Sequence, residues 1–417
     1  MNYKFPTVPI GETVSKVSTC DPRTELAEGL FEYIDISLVN RETKRVEGNN
    51  RIAAEDAPSR ARQIVKARDI LVSTVRPNLN AVAQVPDELD GAIASTGFTI
   101  LRPKKSVIDD RYLFQWVKSP QFIARMVEKA TGASYPAVSD RIVKDSMIPL
   151  PPLHEQCRIS AVLDKTDALR EKRRQAISAL DRLLQSIFLD MFGDPVKNPK
   201  GWKLGILGDV IHSAKDGPHV SPQYSDEGIP FLSTRHIRQG RILWEDLKFI
   251  TREHAELHWK KCKPERGDIL YTKGGTTGIA KAIDFDREIA VWVHIALLKT
   301  NHEIADPQWL EQMLNSSYCY AQSQEFTHGI ANHDLGLTRM VKIKIYIPPI
   351  QLQRKFSEYA TKLRCFEGKQ KESLSKLDDL FHSLQQRAFN GELFNGKATA
   401  TALPQKTMTT SQPELFD

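Results

Sequence analysis

IPLPPLHEQCRISAVLDKTDALREKRRQAISALDRLLQSIFLDMFG, from Ile148 to Gly193, returns near the C-terminus as IYIPPIQLQRKFSEYATKLRCFEGKQKESLSKLDDLFHSLQQRAFNG, from Ile345 to Gly391. An offset of 197 carries Pro151 and Pro152 to Pro348 and Pro349, Gln156 to Gln353, Leu180 to Leu377, Ser186 to Ser383 and Phe192 to Phe389. A repeat of so long a period implies that the whole chain is built as two related halves. Each diproline predicts an extended approach, because proline fixes its own φ and biases the preceding residue away from the α region. Behind it no proline interrupts the copy, and Gly193 with Pro195, or Asn390 with Gly391, supplies the stop.

Val162, Thr166, Leu169, Arg173, Ala176, Leu180, Leu183 and Ile187 follow one another in steps of four and three, the spacing of a helix seam. The second copy has Tyr359, Leu363, Phe366, Gln370, Ser373, Leu377, Leu380 and Leu384 in the same places, and both seams turn polar together at Arg173 and Gln370. A forty-residue helix is ~60 Å long, too long to bury its stripe in one small domain. Each helix is therefore expected to pair with the other, antiparallel, since the first arrives at a domain that the second leaves.

At 417 residues the chain has room for two to three domains, and 41% hydrophobic with 26% charged content is that of a globular protein. A net charge of +6 is compatible with a polyanionic partner without identifying one. Cys20, Cys157, Cys262, Cys319 and Cys365 are scattered and form no CxxC, so a disulfide framework or zinc site is not expected. No leader-like apolar stretch and no long apolar run is seen, which makes a cytoplasmic location the expectation and a membrane partner unexpected.

The stretches flanking the first repeat copy also correspond. Tyr33–Ile36, Asp69–Ser73 and Gly97–Leu101 read as strands, followed by a short helix around Tyr112, Leu113, Trp116 and Val117. Pro230–Ser233, Asp268–Thr272, and a helix through Trp309, Leu310, Met313 and Leu314 repeat that order. The loops differ: Arg76–Asn80 is replaced by Lys273–Gly278, and Thr131–Pro136 by His328–His333. One scaffold with two loop sets is what two domains reading two different targets would need.

The segments PLPPLHEQ (Pro149–Gln156), SIFLDMFGDP (Ser186–Pro195) and SLQQRAFNGEL (Ser383–Leu393) resemble the specificity subunits of type I restriction-modification systems. GDILYTKGGTTG (Gly267–Gly278) and ASTGF (Ala94–Phe98) are similar to strand–loop segments of that family's target-recognition domains. The likeness runs from about Tyr33 to Leu393, with the helical segments its most specific part; one departure is Gln351–Gln353, reading QLQ where the first copy has HEQ. The resemblance implies a subunit without catalysis of its own that binds double-stranded DNA, each domain reading one half of a bipartite site. It further implies two methyltransferase subunits carried on the helices and restriction/motor subunits joining for cleavage. S-adenosylmethionine, ATP and Mg would then belong to those partners, and no cofactor to this chain. A related multisubunit, type IIB-like restriction system is a near variant.

Direct searches for chemistry are consistent with that division. The diprolines lack the acidic or Asn residue and following aromatic of an adenine methyltransferase motif, and KGGTTG lacks the closing Gly-Lys-Ser/Thr of a phosphate loop. The histidines are read as having neither HxxxH nor HExxH spacing, so a metal site is not expected, and Asp21 with Glu42-Thr43-Lys44 is too loose a nuclease pattern in a chain this charged. A DNA enzyme with an unrecognised site and a scaffold built around the helices remain as rivals.

Candidates for DNA contact are forked, amide, hydroxyl or basic side chains on loops, the groups that reach base edges and phosphates. In the first domain these are Arg76, Asn78, Asn80, Ser134 and Tyr135, and in the second Arg235, His236, Arg238, Lys273, Thr276, Thr277, Asn332 and His333. Each has a plain alternative as a solvated turn or, for Tyr135, a core cap. The run Arg170, Lys172, Arg173, Arg174 reads as a solvated or partner-docking helix face in preference to a DNA contact. Leu169, Arg173, Leu180, Leu183, Ile187, Phe366, Leu377, Leu380 and Leu384 are assigned to helix pairing and partner subunits.

The fold expected is thus α+β: target-recognition domains at 1–147 and 194–344, long spacer helices at 148–193 and 345–393 pairing as an antiparallel coiled coil, and a Thr-, Gln- and Pro-rich disordered tail at 394–417, with pseudo-twofold symmetry. A ~60 Å helix would hold the half-sites one to two turns of DNA apart.

Overall fold

The computed structural model describes residues 4–26, 29–132, 134–329 and 333–394. The tail from residue 395 onward lies outside the described residues. The long helices are Leu153–Phe192 and Ile350–Phe389, each beginning directly behind its diproline. Residues divide by contact into two units: one up to Arg174 together with those from Ser373 onward, the other Gln175–Glu372. Each unit therefore owns one recognition domain and one half of each long helix.

In the first unit, Val14–Ser15, Phe98–Pro103, Ile70–Ser73 and Val82–Gln84 make one antiparallel sheet in that order. Arg51–Ala53, Leu30–Ile34, Ile93–Ser95 and Ala61–Ile64 make another, with Leu30–Ile34 and Ile93–Ser95 parallel. Thr7–Pro9 pairs antiparallel with Met147–Pro149, the strand that leads into the first diproline. The second unit repeats all three pieces. Ile211–Asp216, Ile295–Thr300, Ile269–Thr272 and Ala280–Ala282 form its antiparallel sheet. Ile229–Leu232 and Ala290–Val291 form the parallel pair, and Lys203–Ile206 joins Lys344–Ile347. The strand expected over Tyr33–Ile36 ends at Ile34, because the Asp35 carboxylate caps a 3-10 turn by accepting the Ser37 amide at 3.0 Å.

The repeated glutamine and phenylalanine of the helix motif have structural explanations. Gln156 is buried; its Oε1 accepts the Asp109 amide at 2.8 Å while Nε2 donates to the carbonyls of Val107 (3.1 Å) and Pro151 (2.8 Å). Gln353 accepts from the Asp306 amide (2.9 Å) and donates to Ile304 (3.0 Å) and Pro348 (2.8 Å). Each latch holds the residue, Asp109 or Asp306, that caps the domain helix Asp110–Val117 or Pro307–Leu314. At the other end of the copies, Phe389 packs edge-on against Tyr112 (5.5 Å) and Trp116 (4.8 Å), and Phe192 against Trp309 (6.4 Å). Such contacts add ~0.5–1.5 kcal/mol per pair beyond area burial.

Within each unit the two helix halves run antiparallel. Arg174 reaches Asp378 while Arg170, four residues earlier, lies over the Phe381 ring at 4.4 Å. In the second unit Phe188 and Phe192 both meet Phe356, at 5.5 and 5.7 Å. About half of the expected seam holds, and its alternate positions are displaced by one residue. Leu163, Arg170 and Leu184 face inward with Thr166, Leu180, Ile187, Leu363, Gln370, Leu377 and Leu384, whereas Leu169, Leu183, Phe366 and Leu380 are 46–50% exposed. Arg173 is half-buried. The displacement has a charge-based cause: Arg170 enters the seam because Asp378 accepts its Nε at 2.6 Å and Phe381 takes its face. The basic run is consequently not one solvated face, since Arg170 and Arg174 turn to Asp378 and only Lys172 is exposed.

Candidate nucleic-acid interface

Three loops meet at one corner of each domain, and the backbone hydrogen bonds that join them are the same in both. In the first domain the Thr74 amide and hydroxyl both donate to Gly97 O at 2.9 Å, and the Val138 amide donates to Thr74 O at 2.9 Å. The Arg76 amide donates to Pro136 O at 2.7 Å, beside bridges joining Val75 and Thr131 to Ala137. In the second domain Lys273 N bonds His294 O (2.9 Å), Leu335 N bonds Lys273 O (2.7 Å) and Gly275 N bonds His333 O (3.0 Å). Bridges there join Gly274 and His328 to Asp334. The loop after the Asp-Ile-Leu strand is thus sewn to the sheet-to-sheet turn at Gly97 or His294 and to the loop ahead of each repeat copy. Sequence reading placed these loops in register but could not show that they touch.

On this shared frame the presented side chains differ. Arg76 and Asn80 both stand in the left-handed region, φ 49° and 45°, on either side of the turn Pro77–Leu79. Non-glycine residues hold that conformation only where their surroundings enforce it. Here Lys44 Nζ donates to Asn80 O at 2.6 Å, Asn80 Nδ2 reaches Lys118 O at 3.4 Å, and the Arg76 guanidinium lies 4.8 Å from the Tyr135 ring centre. Tyr135 is 69% exposed, and Arg76, Asn78 and Ser134 are exposed with it. The structure therefore gathers all five candidates of this domain around one turn and presents a guanidinium stacked on an aromatic ring. Tyr135 does not cap the core.

The second domain sorts its candidates differently. Thr276 and His333 are exposed at the loop junction, with Gly275 (φ 72°) where the first domain has Arg76. Lys273 is buried: its amine meets Asp334 at 2.9 Å and Asp216 at 3.5 Å, and so pins two loops together. Burial opposes ionisation of Asp216, yet Lys261, Lys273 and His219 hold its carboxyl below the usual range. Thr277 is also buried, its hydroxyl 3.0 Å from that of Thr327. His236 is inward, its Nδ1 accepting the Ser233 amide at 3.0 Å, and burial followed by the Arg235 charge lowers its pKa. Arg235 is exposed and donates to Asp246 O at 2.9 Å; Arg238 bonds Ile237 O at 2.9 Å. Lys273, Thr277 and His236 thus shape the loops rather than present themselves. Asn332 lies outside the described residues.

Two features were missed. His294 is exposed, stacked on Trp292 (6.4 Å, 28°), and covers Gly274 so closely that a Cβ there would collide with its ring. Only its place in the repeat, opposite Gly97, could have signalled it. Contrary to the expectation that no HxxxH spacing occurs, His254 and His258 stand four apart on the helix Arg252–Trp259. Their rings are 5.0 Å apart, and among the described residues no group of three or more His, Cys, Asp or Glu is placed to hold a metal. Asp21 and Lys44 of the loose nuclease pattern have separate duties: Asp21 pairs with Arg62 at 3.0 Å and Lys44 serves Asn80. No helix among the described residues is long and apolar enough to cross a membrane.

Residues 23–179 and 199–381 match the type I restriction modification DNA specificity domain family. The chain is 23% identical over 283 residues to the type I restriction enzyme MjaVIII specificity subunit of Methanocaldococcus jannaschii, covering 64% of this chain and 66% of that one. It is 22% identical over 346 residues to the EcoBI specificity subunit of Escherichia coli, covering 73% of each. Among solved structures, a chain from work on complex assembly and conformational transition of the type I R-M system superposes with TM-score 0.57 at 24% identity, over 94% of this chain and 100% of that one. That likeness shows the fold, and the family match extends across both domains and most of both helices. The chain belongs to the family of DNA specificity subunits of type I restriction-modification systems.

Proposed function

We propose that the chain reads an asymmetric, bipartite duplex site, one half with each domain, and brings partner methyltransferase and restriction subunits to it. One observation carries the reading: the same three-loop junction recurs on the same scaffold while its exposed side chains change. Arg76 over Tyr135, with Asn78 and Ser134 beside it, offers a fork and amide for base edges together with a hydroxyl for phosphate. Thr276, His333 and His294 offer a smaller, less charged set for the other half-site. Arg235, on the turn Thr234–His236, and Arg238, in the strand that follows it, suit phosphates.

The outward apolar residues of the long helices serve partners in this reading. Leu169 and Leu380 belong to the first unit, Leu183 and Phe366 to the second, and they occupy equivalent places in the repeat. Two like patches suit two methyltransferase subunits. Methylation of adenine with S-adenosylmethionine, and ATP- and Mg-dependent cleavage, fall to the partners.

Methylome sequencing of cells with and without the gene tests the proposal. A single split motif should vanish with the gene. Arg76→Ala with Tyr135→Ala should relax one half of that motif and leave the other intact; Thr276→Ala with His333→Ala should do the reverse. Variants that change both halves together, or no motif lost with the gene while the methyltransferase is expressed, would refute the reading.

A further inference from the structure

Each recognition domain rests on the first turns of the long helix behind it, and the ion pairs in the two seats have opposite polarity. In the first unit the helix supplies the acids. Asp167 takes Lys118 Nζ at 2.8 Å, and Asp164 receives Gln115 Nε2 at 2.7 Å with Arg111 3.7 Å away. Lys118 is 7% exposed, and Lys44 stands near enough to feel its charge. Burial, with Lys118 adding to it, pushes the Lys44 amine down to about 8, while Asp167 is held below the usual carboxylate range against its burial by Lys118 and Arg170.

Adding the repeat offset to Asp167 gives Arg364, and the second unit inverts the arrangement. Here the helix supplies the base: Arg364 meets Asp284 at 3.0 Å and also pairs with Glu311. Glu311 is 1% exposed and accepts the Ala282 amide at 2.6 Å, and Lys281 stands between Asp284 (2.8 Å) and Glu311 (3.4 Å). The equivalent of Glu311 in the first domain is Phe114, and that of Lys118 in the second is Asn315. Asp164, likewise, is answered by an uncharged Thr361, hydrogen-bonded to Gln308 at 3.1 Å.

We infer that the two seats form a charge key that assigns each domain to one position in the chain and thereby fixes which domain comes first. A first domain placed ahead of the second helix would set Lys118 and Lys44 against Arg364 and leave that guanidinium without Glu311 or Asp284. A second domain on the first helix would set Glu311 and Asp284 against Asp167. The first error leaves Lys118 and Arg364 without a counter-ion, and the second crowds Glu311 and Asp284 against Asp167 with only Lys281 and Arg170 to offset three acids; partly buried charge without enough counter-charge is strongly destabilising. The backbone latch cannot discriminate in this way, since Gln156 and Gln353 make the same bonds.

The test is a chain in which residues 204–344 are replaced by a second copy of residues 7–147, the segments bounded by equivalent strand positions, made with and without Arg364→Asp. Arg364→Asp should raise the unfolding midpoint of that chimera and lower that of the native chain. A substitution that lowers both, or leaves both unmoved, overturns the key. In the intact chain, Asp167→Lys and Lys118→Asp should each shift the unfolding equilibrium by about tenfold or more, and the pair together should recover most of the loss. Coupling below about threefold overturns the inference even if neither chimera folds.

Discussion

Replacing Gln156 or Gln353 tests whether the motif shared by the two helices is retained for folding rather than for contact with partners. Each amide makes three hydrogen bonds to backbone groups, all between 2.8 and 3.1 Å, at a position no more than 1% exposed. Truncation leaves one N–H and two carbonyls without their partner, and a buried group so stranded costs about 1–3 kcal/mol. Some of those groups will relax, so about 3–5 kcal/mol is expected for Gln156→Ala, a large share of a typical domain's ~5–15 kcal/mol. Gln156→Met keeps most of the volume and should lose nearly as much, which separates bonding from packing. Gln156→Glu retains an acceptor for Asp109 but turns a carboxylate oxygen toward two carbonyls, and should be no better than Ala. Denaturant unfolding followed by tryptophan fluorescence measures the loss as a shift in midpoint at constant slope. Gln353 substitutions should give the same values to within about 1 kcal/mol. Methionine variants that lose less than about 1 kcal/mol in both positions would show that the latch is not a net stabilising element.

Other expectations are more local. Lys44→Met gives up the brace on Asn80 O but also sheds a buried charge, so its effect on stability should be more favourable at pH 7 than at pH 10.5, because the amine carries a folded pKa of about 8 against an ordinary 10.5 and burial disfavours its charge. The unfolded chain then holds the extra proton between those values, so that advantage should fade as pH rises from 8 to 10.5; an equal effect at pH 7 and pH 10.5 would contradict the assignment. Leu169→Asp with Leu380→Asp should release one methyltransferase subunit, and Leu183→Asp with Phe366→Asp the other, as counted by native mass spectrometry. Unchanged stoichiometry in both would remove these patches from the docking surface. Lys273→Ala should loosen the loop junction and lower stability by about 1–3 kcal/mol, since Asp334 and Asp216 each lose a charged partner while Asp216 keeps Lys261, whereas Thr276→Ala should leave stability unchanged within about 0.5 kcal/mol.

The long helices and the doubled scaffold were legible because they rest on short-range signals, spaced apolar residues and a proline stop, repeated at a fixed offset. At Leu169 and Leu183 the seam was read one residue out, for a reason that such signals cannot cure. At Leu169-Arg170 the apolar residue is the local choice, but Asp378 and Phe381, some two hundred residues away, make the arginine the better seam residue. Leu183 and Leu184 are indistinguishable by hydrophobicity, and only the position of Phe188 and Ile187 on the same face decides for Leu184. The same limit governs the loops. Lys273 reads as a loop cation, yet Asp334 lies 61 residues on and draws it inside; Arg76 reads no differently and stays outside because Tyr135 offers it a surface.

This contrast explains how one scaffold can serve two targets without loss of stability. The bonds that hold each loop corner are backbone bonds, Arg76 N to Pro136 O and Gly275 N to His333 O, and backbone bonds tolerate a change of side chain. Residues between those anchor points are therefore free to vary in the way a recognition surface requires. Side chains that do carry the frame, Lys273 in one domain and Lys44 with Asn80 in the other, differ between the domains because each loop found its own brace. Where the domains meet the long helices the opposite holds: Gln156 and Gln353 are invariant within the chain, while Asp167 and Arg364 are inverted. Identity at the latch keeps both seats the same shape, and inversion at the ion pair makes them different in charge.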